Sequence, residues 1–244
     1  MRLAAIVAHA DGSKINDFLR MYRVSKLRLR YKKIGKSRYI SHLDLSSTMR
    51  RGIIRAGIEL TYSQGFNPHP YMSVALPLSV GMQSVCELMD IGVADGTQAN
   101  NLPEKITACL PEGLEILEAY GATRKFSEIA FLEIGGIMYY DGGVSEAIVS
   151  ELTKRFSLPS IEISKKTKRG ESVIDIAEHI RDISFFKADE SNAIEISAKL
   201  SAQNPTISPN NLLDALTGDY SRLLPDYAAF TRLEVFDINM NVFK

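Results

Sequence analysis

Lys26-Leu27-Arg28-Leu29-Arg30-Tyr31-Lys32-Lys33 alternates cationic and apolar side chains. A period of two is that of a half-buried strand, so Leu27, Leu29 and Tyr31 are expected to face a core, with Arg28, Arg30 and Lys32 on the opposite face of the sheet. Working outward, Ser41-His42-Leu43-Asp44 follows Gly35 with the spacing of a helix capping box. Leu45, Met49, Ile53 and Ala56 then recur at helical spacing until Gly57 stops the run. Glu59 to Ser63 and Met72 to Leu76 read as extended pieces around a Gly65 to Pro70 turn, and Leu88 to Val93 as a strand. Ala99 to Leu110 reads as a helix whose start Pro103 leaves open, and Leu114 to Ala119 as a closing strand. The resulting order is βαββαβ, the split βαβ or ferredoxin-like unit.

The rest of the chain runs through a similar order. Phe131 to Tyr140 reads as a strand and Ser145 to Phe156 as a helix. Ile161 to Ser164 pairs with Ser172 to Ile176, and Ile183 to Phe186 with Ile194 to Leu200. Pro209 to Leu216 reads as a helix with Pro in its first turn, and Arg232 to Ile238 as a last strand. The expectation is an α+β protein of two tandem ferredoxin-like units packed together: an N-terminal extension at 1–25 with a possible helix at Ile15 to Tyr22, a first unit at 26–123 and a second at 124–244.

Composition narrows the class. With 45% hydrophobic residues in a chain of 244, a sizeable core can form, and neither disorder nor a collagenous repeat fits. Cys86 and Cys109 stand 23 positions apart, which excludes a disulfide framework, a zinc ribbon and a three-cysteine iron–sulfur motif. No metal or cofactor is expected. Leu3 to Ala8 is too short for a signal or membrane segment, so a cytoplasmic location without membrane contact is expected.

The overall charge of zero conceals an asymmetry. Residues 26 to 69 hold ten Lys and Arg against Asp44 and Glu59, a net +8, whereas residues 126 to 244 hold twelve against eighteen. A concentrated cationic block suits a phosphate-binding surface, because Lys and Arg displace counterions from nucleic acid. A solvated face of an ordinary soluble protein is the alternative. At 100° per residue Asp44, Thr48, Arg51 and Arg55 form one stripe of the first helix, fit either to hold phosphates or to pair among themselves. Of these Arg51 and Arg55, together with Arg28, Arg30 and Arg38, are the candidate phosphate contacts. The tip Lys165-Lys166-Thr167-Lys168-Arg169 could extend the track or simply be a solvated turn.

Two histidines are candidate catalytic groups. His42 stands just inside a helix start, and His69 lies in Tyr62-Ser63-Gln64-Gly65-Phe66-Asn67-Pro68-His69-Pro70-Tyr71, where the flanking prolines restrict the backbone. In that loop Tyr62, Phe66 and Tyr71 offer surfaces on which unpaired bases stack, Gln64 and Asn67 can read base edges, and Gln64, Phe66, Asn67 and His69 are the candidate RNA contacts. The competing reading is a structural loop whose aromatics fill the core. No nucleotide-binding glycine loop, nucleophile elbow or zinc-binding histidine pair is present.

From Lys26 to Val93 the motifs also carry a resemblance. Lys26 to Gly35, Arg38 to Asp44, Ser63 to Pro70, Ala75-Leu76-Pro77-Leu78, Gly81 and Glu87 together resemble the bacterial radical-SAM-linked protein family, a domain of unknown function found beside a radical SAM enzyme or fused to the end of one. The resemblance spans about residues 25 to 240, and what it implies is a radical SAM partner, since this chain lacks the cluster such an enzyme needs. Charge, loop chemistry and resemblance together lead to the expectation of a non-catalytic RNA-binding or substrate-presenting accessory to a radical SAM enzyme, possible in RNA modification. One alternative is a metal-independent RNA-processing enzyme using His42 or His69. The other is a pure protein-interaction module for the radical SAM partner.

Overall fold

The computed structural model describes residues 24–167, 170–190 and 192–244; the N-terminal helix expected at Ile15 to Tyr22 and the side chains of the basic tip at 165–169 lie outside the described residues. This is a mixed α/β protein in which sheet dominates and helices are few and short. It divides into two compact units, one of residues up to Val80 together with Glu87–Thr123, the other of Gly81–Cys86 together with Arg124–Lys244.

In the first unit β1 (Val24–Lys33) leads through a short turn into α1 (His42–Arg55), then β2 (Met72–Val74), β3 (Gln83–Ala94), α2 (Leu102–Thr107) and β4 (Leu114–Gly121). In space the strands stand in the order β4-β1-β3, with β2 on β3. β1 pairs antiparallel with β4, and β2 antiparallel with β3. The alternation in β1 is realised: Leu27, Leu29 and Tyr31 are buried and join Leu45, Met49 and Ile53 of α1 and Ile106 of α2 in one core. The Ser41 hydroxyl oxygen accepts from the Asp44 backbone N–H at 3.2 Å, capping α1. Gly52 lets α1 approach the segment after α2, because a Cβ there would stand 2.5 Å from Leu110 Cδ2. The expected helix at 99 to 110 is shorter: a 3-10 turn at Ala99–Asn101 precedes α2, since Pro103 lacks a backbone N–H and is tolerated only in a first turn.

The second unit comprises β5 (Phe131–Tyr139), α3 (Glu146–Phe156), the hairpin β6 (Glu162–Thr167) and β7 (Gly170–Asp175), then β8 (Ile180–Lys187), β9 (Ala193–Ser201), α4 (Pro209–Asp214) and β10 (Tyr227–Phe236). Its sheet order is β10-β5-β9-β8 with every neighbour antiparallel, and β6 and β7 pair only with each other. At one end Gln83 and Ser84 of β3 run parallel to Thr231 and Arg232 of β10. Leu152 and Phe156 of α3 pack with Ile134, Met138, Ile194 and Ile196 in a second core. β10 begins five residues before the expected strand because Tyr227-Ala228-Ala229-Phe230 carries no alternation to read.

The cationic face of β1 is the main correction. Arg28 is fully buried: its Nε donates to Asp90 Oδ1 at 2.7 Å and a terminal nitrogen to Oδ2 at 3.1 Å, while Lys26 reaches the same carboxylate at 2.8 Å. Lys32 pairs with Glu115 at 2.6 Å, and Arg30 is half-buried. A charge taken out of water must be matched by an opposite charge or by hydrogen bonds, and β3 and β4 supply the carboxylates that do so. Lys33 is also buried, donating to the Ile40 carbonyl at 2.7 Å; desolvation pulls its ammonium below the ordinary lysine value, with Glu87 opposing.

Candidate functional site: a histidine cleft beside the edge strand of the first unit

β2 is only three residues long and forms the outer edge of the first unit's sheet. Between it and α1 lies an open cleft of about 450 Å³ whose polar lining is His42, Ser46, Ser47, Arg50, His69 and Ser73 over a floor of Met72, Val74 and Met89. The two histidines, 27 positions apart in sequence, thus share one cavity. On α1 the geometry is helical arithmetic: His42, Ser46 and Arg50 recur every four residues and fall on one face.

His69 reaches the cleft on a loop pinned at its base. Its backbone N–H donates to the Ser63 hydroxyl at 3.0 Å, and its carbonyl accepts from the Ser63 N–H at 2.8 Å. Tyr62 and Pro70 form an isolated antiparallel bridge that closes the same loop. The loop therefore does not fill the core: Tyr62 and Tyr71 are exposed, Phe66 is fully exposed at the tip, and Gln64 and Asn67 face solvent beside it. Among the described residues lining the cleft none is acidic, and no described ion pair engages Arg50. A guanidinium with no described ion pair, two imidazoles and three hydroxyls, with no acidic residue among the described lining, supply the donor chemistry that an anion such as phosphate needs, and bidentate N–H donation to phosphate is what a guanidinium does best.

The other candidates separate from this cleft. Arg51 and Arg55 project from another face of α1 and line a distinct groove of about 630 Å³ with Thr48 and Cys109, where Arg55 donates to the Cys109 carbonyl. Arg38 is half-buried against its neighbour, 4.9 Å from the Tyr39 ring centroid, and donates to the Tyr39 hydroxyl at 2.8 Å. Arg28 is fully buried and so is not presented at the surface. The stripe legible in the sequence runs through Arg51 and Arg55; counting in fours from His42 instead reaches Ser46 and Arg50, with Ser47 beside them in the lining. Among the described residues no cluster of three or more His, Cys, Asp or Glu could hold a metal, and no helix is long and apolar enough to cross a membrane.

Fold and site together define a mixed α/β protein with an exposed, acid-free histidine cleft. The chain belongs to a bacterial family described as uncharacterized proteins conserved in bacteria, DUF2344, whose model matches residues 26–209. No curated protein matches the chain. Among solved structures it is similar to a chain of a Cbf5-Nop10-Gar1 complex at 11% identity and a TM-score of 0.47, over 90% of this chain and 50% of that one. A chain of an H/ACA RNP bound to a substrate RNA containing 2'-deoxyuridine follows at 10% identity and a TM-score of 0.39, over 89% and 48%. An unknown protein from Galdieria sulphuraria is similar at 10% identity and a TM-score of 0.25, over 88% and 99%. The chain spans about half the length of the first two.

Proposed function

We propose that the protein is an RNA-binding, substrate-presenting accessory that grips backbone phosphate in the His42–Arg50–His69 cleft and works with a radical SAM enzyme. The observation that carries the RNA reading is the convergence of Arg50 and both histidines, without a carboxylate, in a cleft to which His69 is brought by a loop whose aromatic residues stay in solvent. Exposed rings next to cationic side chains are what unpaired nucleotides bind: phosphate holds the strand and stacking holds its bases. Arg51, exposed on another face of α1, offers a further phosphate contact. The radical SAM partner rests on the family resemblance of the motifs from Lys26 to Glu87. The same reading takes the chain as two tandem ferredoxin-like units. The βαββαβ order of the first and the β10-β5-β9-β8 order of the second support it, with β6 and β7 as an inserted hairpin.

Two imidazoles in one cavity with a guanidinium favour a second reading, a metal-independent RNA-cleaving enzyme in which one histidine takes the 2'-hydroxyl proton, the other protonates the leaving oxygen and Arg50 stabilises the phosphorane. Incubating the purified protein with single-stranded RNA in a chelator, while following anisotropy and fragment length, tests both. Salt-sensitive binding with intact RNA is the expected result; cleavage abolished by His42→Ala moves the assignment to the enzyme.

A further inference from the structure

A second cavity, of about 570 Å³, lies at the same edge of the sheet. Its mostly apolar wall shares Pro70, Met72 and Ser73 with the histidine cleft and adds Tyr71, Lys26 and Asp90. The three-residue β2 is thus the common wall of a polar cleft and an apolar one. Tyr71 is held for contact: its backbone N–H donates to the Thr61 carbonyl at 2.9 Å and its carbonyl accepts from the Gly92 N–H at 2.7 Å, while the ring remains 48% exposed. An aromatic ring on a fixed backbone loses little freedom when a flat ligand stacks on it.

The charged groups in the cavity narrow the ligand. Asp90 already accepts three bonds from Arg28 and Lys26 and its side chain is only 3% exposed, so little of the carboxylate is left for a ligand amino group. Lys26 is 57% exposed and gives one ammonium hydrogen to Asp90, which leaves two N–H donors for an incoming oxygen. Resting on the RNA reading above, we infer that this cavity takes an unpaired base bearing a ring carbonyl, stacked on Tyr71 and held by Lys26, from the strand whose phosphate sits in the histidine cleft. Adenine, which has no carbonyl, is the base this arrangement disfavours. The charge of the neighbouring cleft selects the occupant: an apolar cavity that shares a wall with an anion site suits the part of a nucleotide that follows its phosphate.

The test uses the full-length protein and fluorescein-labelled oligouridylate, oligoadenylate and an oligouridylate with abasic sites, with affinity read by anisotropy at fixed low salt. Oligouridylate is expected to bind about tenfold more tightly than the abasic strand. Tyr71→Ala should narrow that gap several-fold without changing abasic binding, and Lys26→Met should narrow the preference for uridine over adenosine. Equal affinity of the unaltered protein for all three strands overturns the base cavity and leaves the phosphate cleft standing. Absence of binding to any strand overturns the RNA reading itself, and the base cavity with it. Because the comparison of strands needs no variant, it decides even where a substituted chain fails to fold.

Discussion

The first unit carries two sets of cations, on β1 and on α1, with opposite fates. Two of those of β1 are matched by carboxylates on adjoining strands, buried Arg28 by Asp90 and Lys32 by Glu115, while the exposed Lys26 shares Asp90 and keeps donors toward solvent. Those of α1 have no such partners, and Arg50 and Arg51 stay exposed with no described ion pair. The difference arises in the neighbouring strands: β3 contributes the buried Asp90 and β4 the half-buried Glu115, while Asp44, the carboxylate on α1, is tied to the helix cap by accepting from the Ser41 hydroxyl at 2.7 Å. A run of positive charge therefore measures how many cations a segment has, and the carboxylates folded against it decide how many remain for a ligand.

The sharpest way to break this contrast is Asp90→Ala, which leaves Arg28 buried without its carboxylate. Loss of about 3–5 kcal/mol of stability is expected in chemical denaturation, because the exposed Lys26 can return to water but Arg28 cannot. Arg28→Met, which removes the buried charge and keeps much of the volume, should cost clearly less; equal losses would show that the pair matters for packing alone.

On the α1 side, Arg51→Ala with Arg55→Ala should weaken binding to all RNA sequences by similar factors, a few-fold at moderate salt, since phosphate contacts carry no sequence information. Sequence-selective loss would place these side chains on bases.

The second unit offers a control by pH. Asp175 is held below the usual carboxylate range by the Ile161 N–H, the Ser160 side chain and the Ala177 N–H. A folded carboxyl more acidic than the unfolded one stabilises above its unfolded value of about 3.8 and loses that contribution as the pH falls. Acid unfolding followed by circular dichroism should therefore be shallower in Asp175→Asn, with RNA affinity at neutral pH unchanged. The smallest effect is expected for His69→Ala. Its ring is exposed in the cleft, so stability should move by no more than about 0.5 kcal/mol while RNA binding drops. A loss of about 1–3 kcal/mol with binding preserved would make His69 a structural residue.

Much of the fold was legible because period and punctuation agree. Leu27, Leu29 and Tyr31 face the core as their alternation requires, Ser41 caps α1, and the second unit's helices begin where Glu146 and Pro209 stand. The start of β3 was not legible, because Ser84 and Glu87 read as surface residues yet are buried. Nor was the fate of Arg28: its partner lies 62 positions away on another strand, and no local pattern records that pairing. The cleft was half legible. Both histidines stood out through a cap and a pair of prolines, but their meeting depends on β2 packing beside α1, and Arg50 acquires its role only there.

The most direct test is the salt dependence of single-stranded RNA binding for Arg50→Ala and Lys32→Ala, measured side by side with the unaltered protein. A phosphate contact contributes about −0.7 to the slope of log affinity against log salt on a single strand. Arg50→Ala should therefore flatten the slope by roughly that amount, and Lys32→Ala, whose cation is already spent on Glu115, should leave it unchanged. An unchanged slope for Arg50→Ala with a flattened one for Lys32→Ala would contradict the account and return the phosphate face to β1.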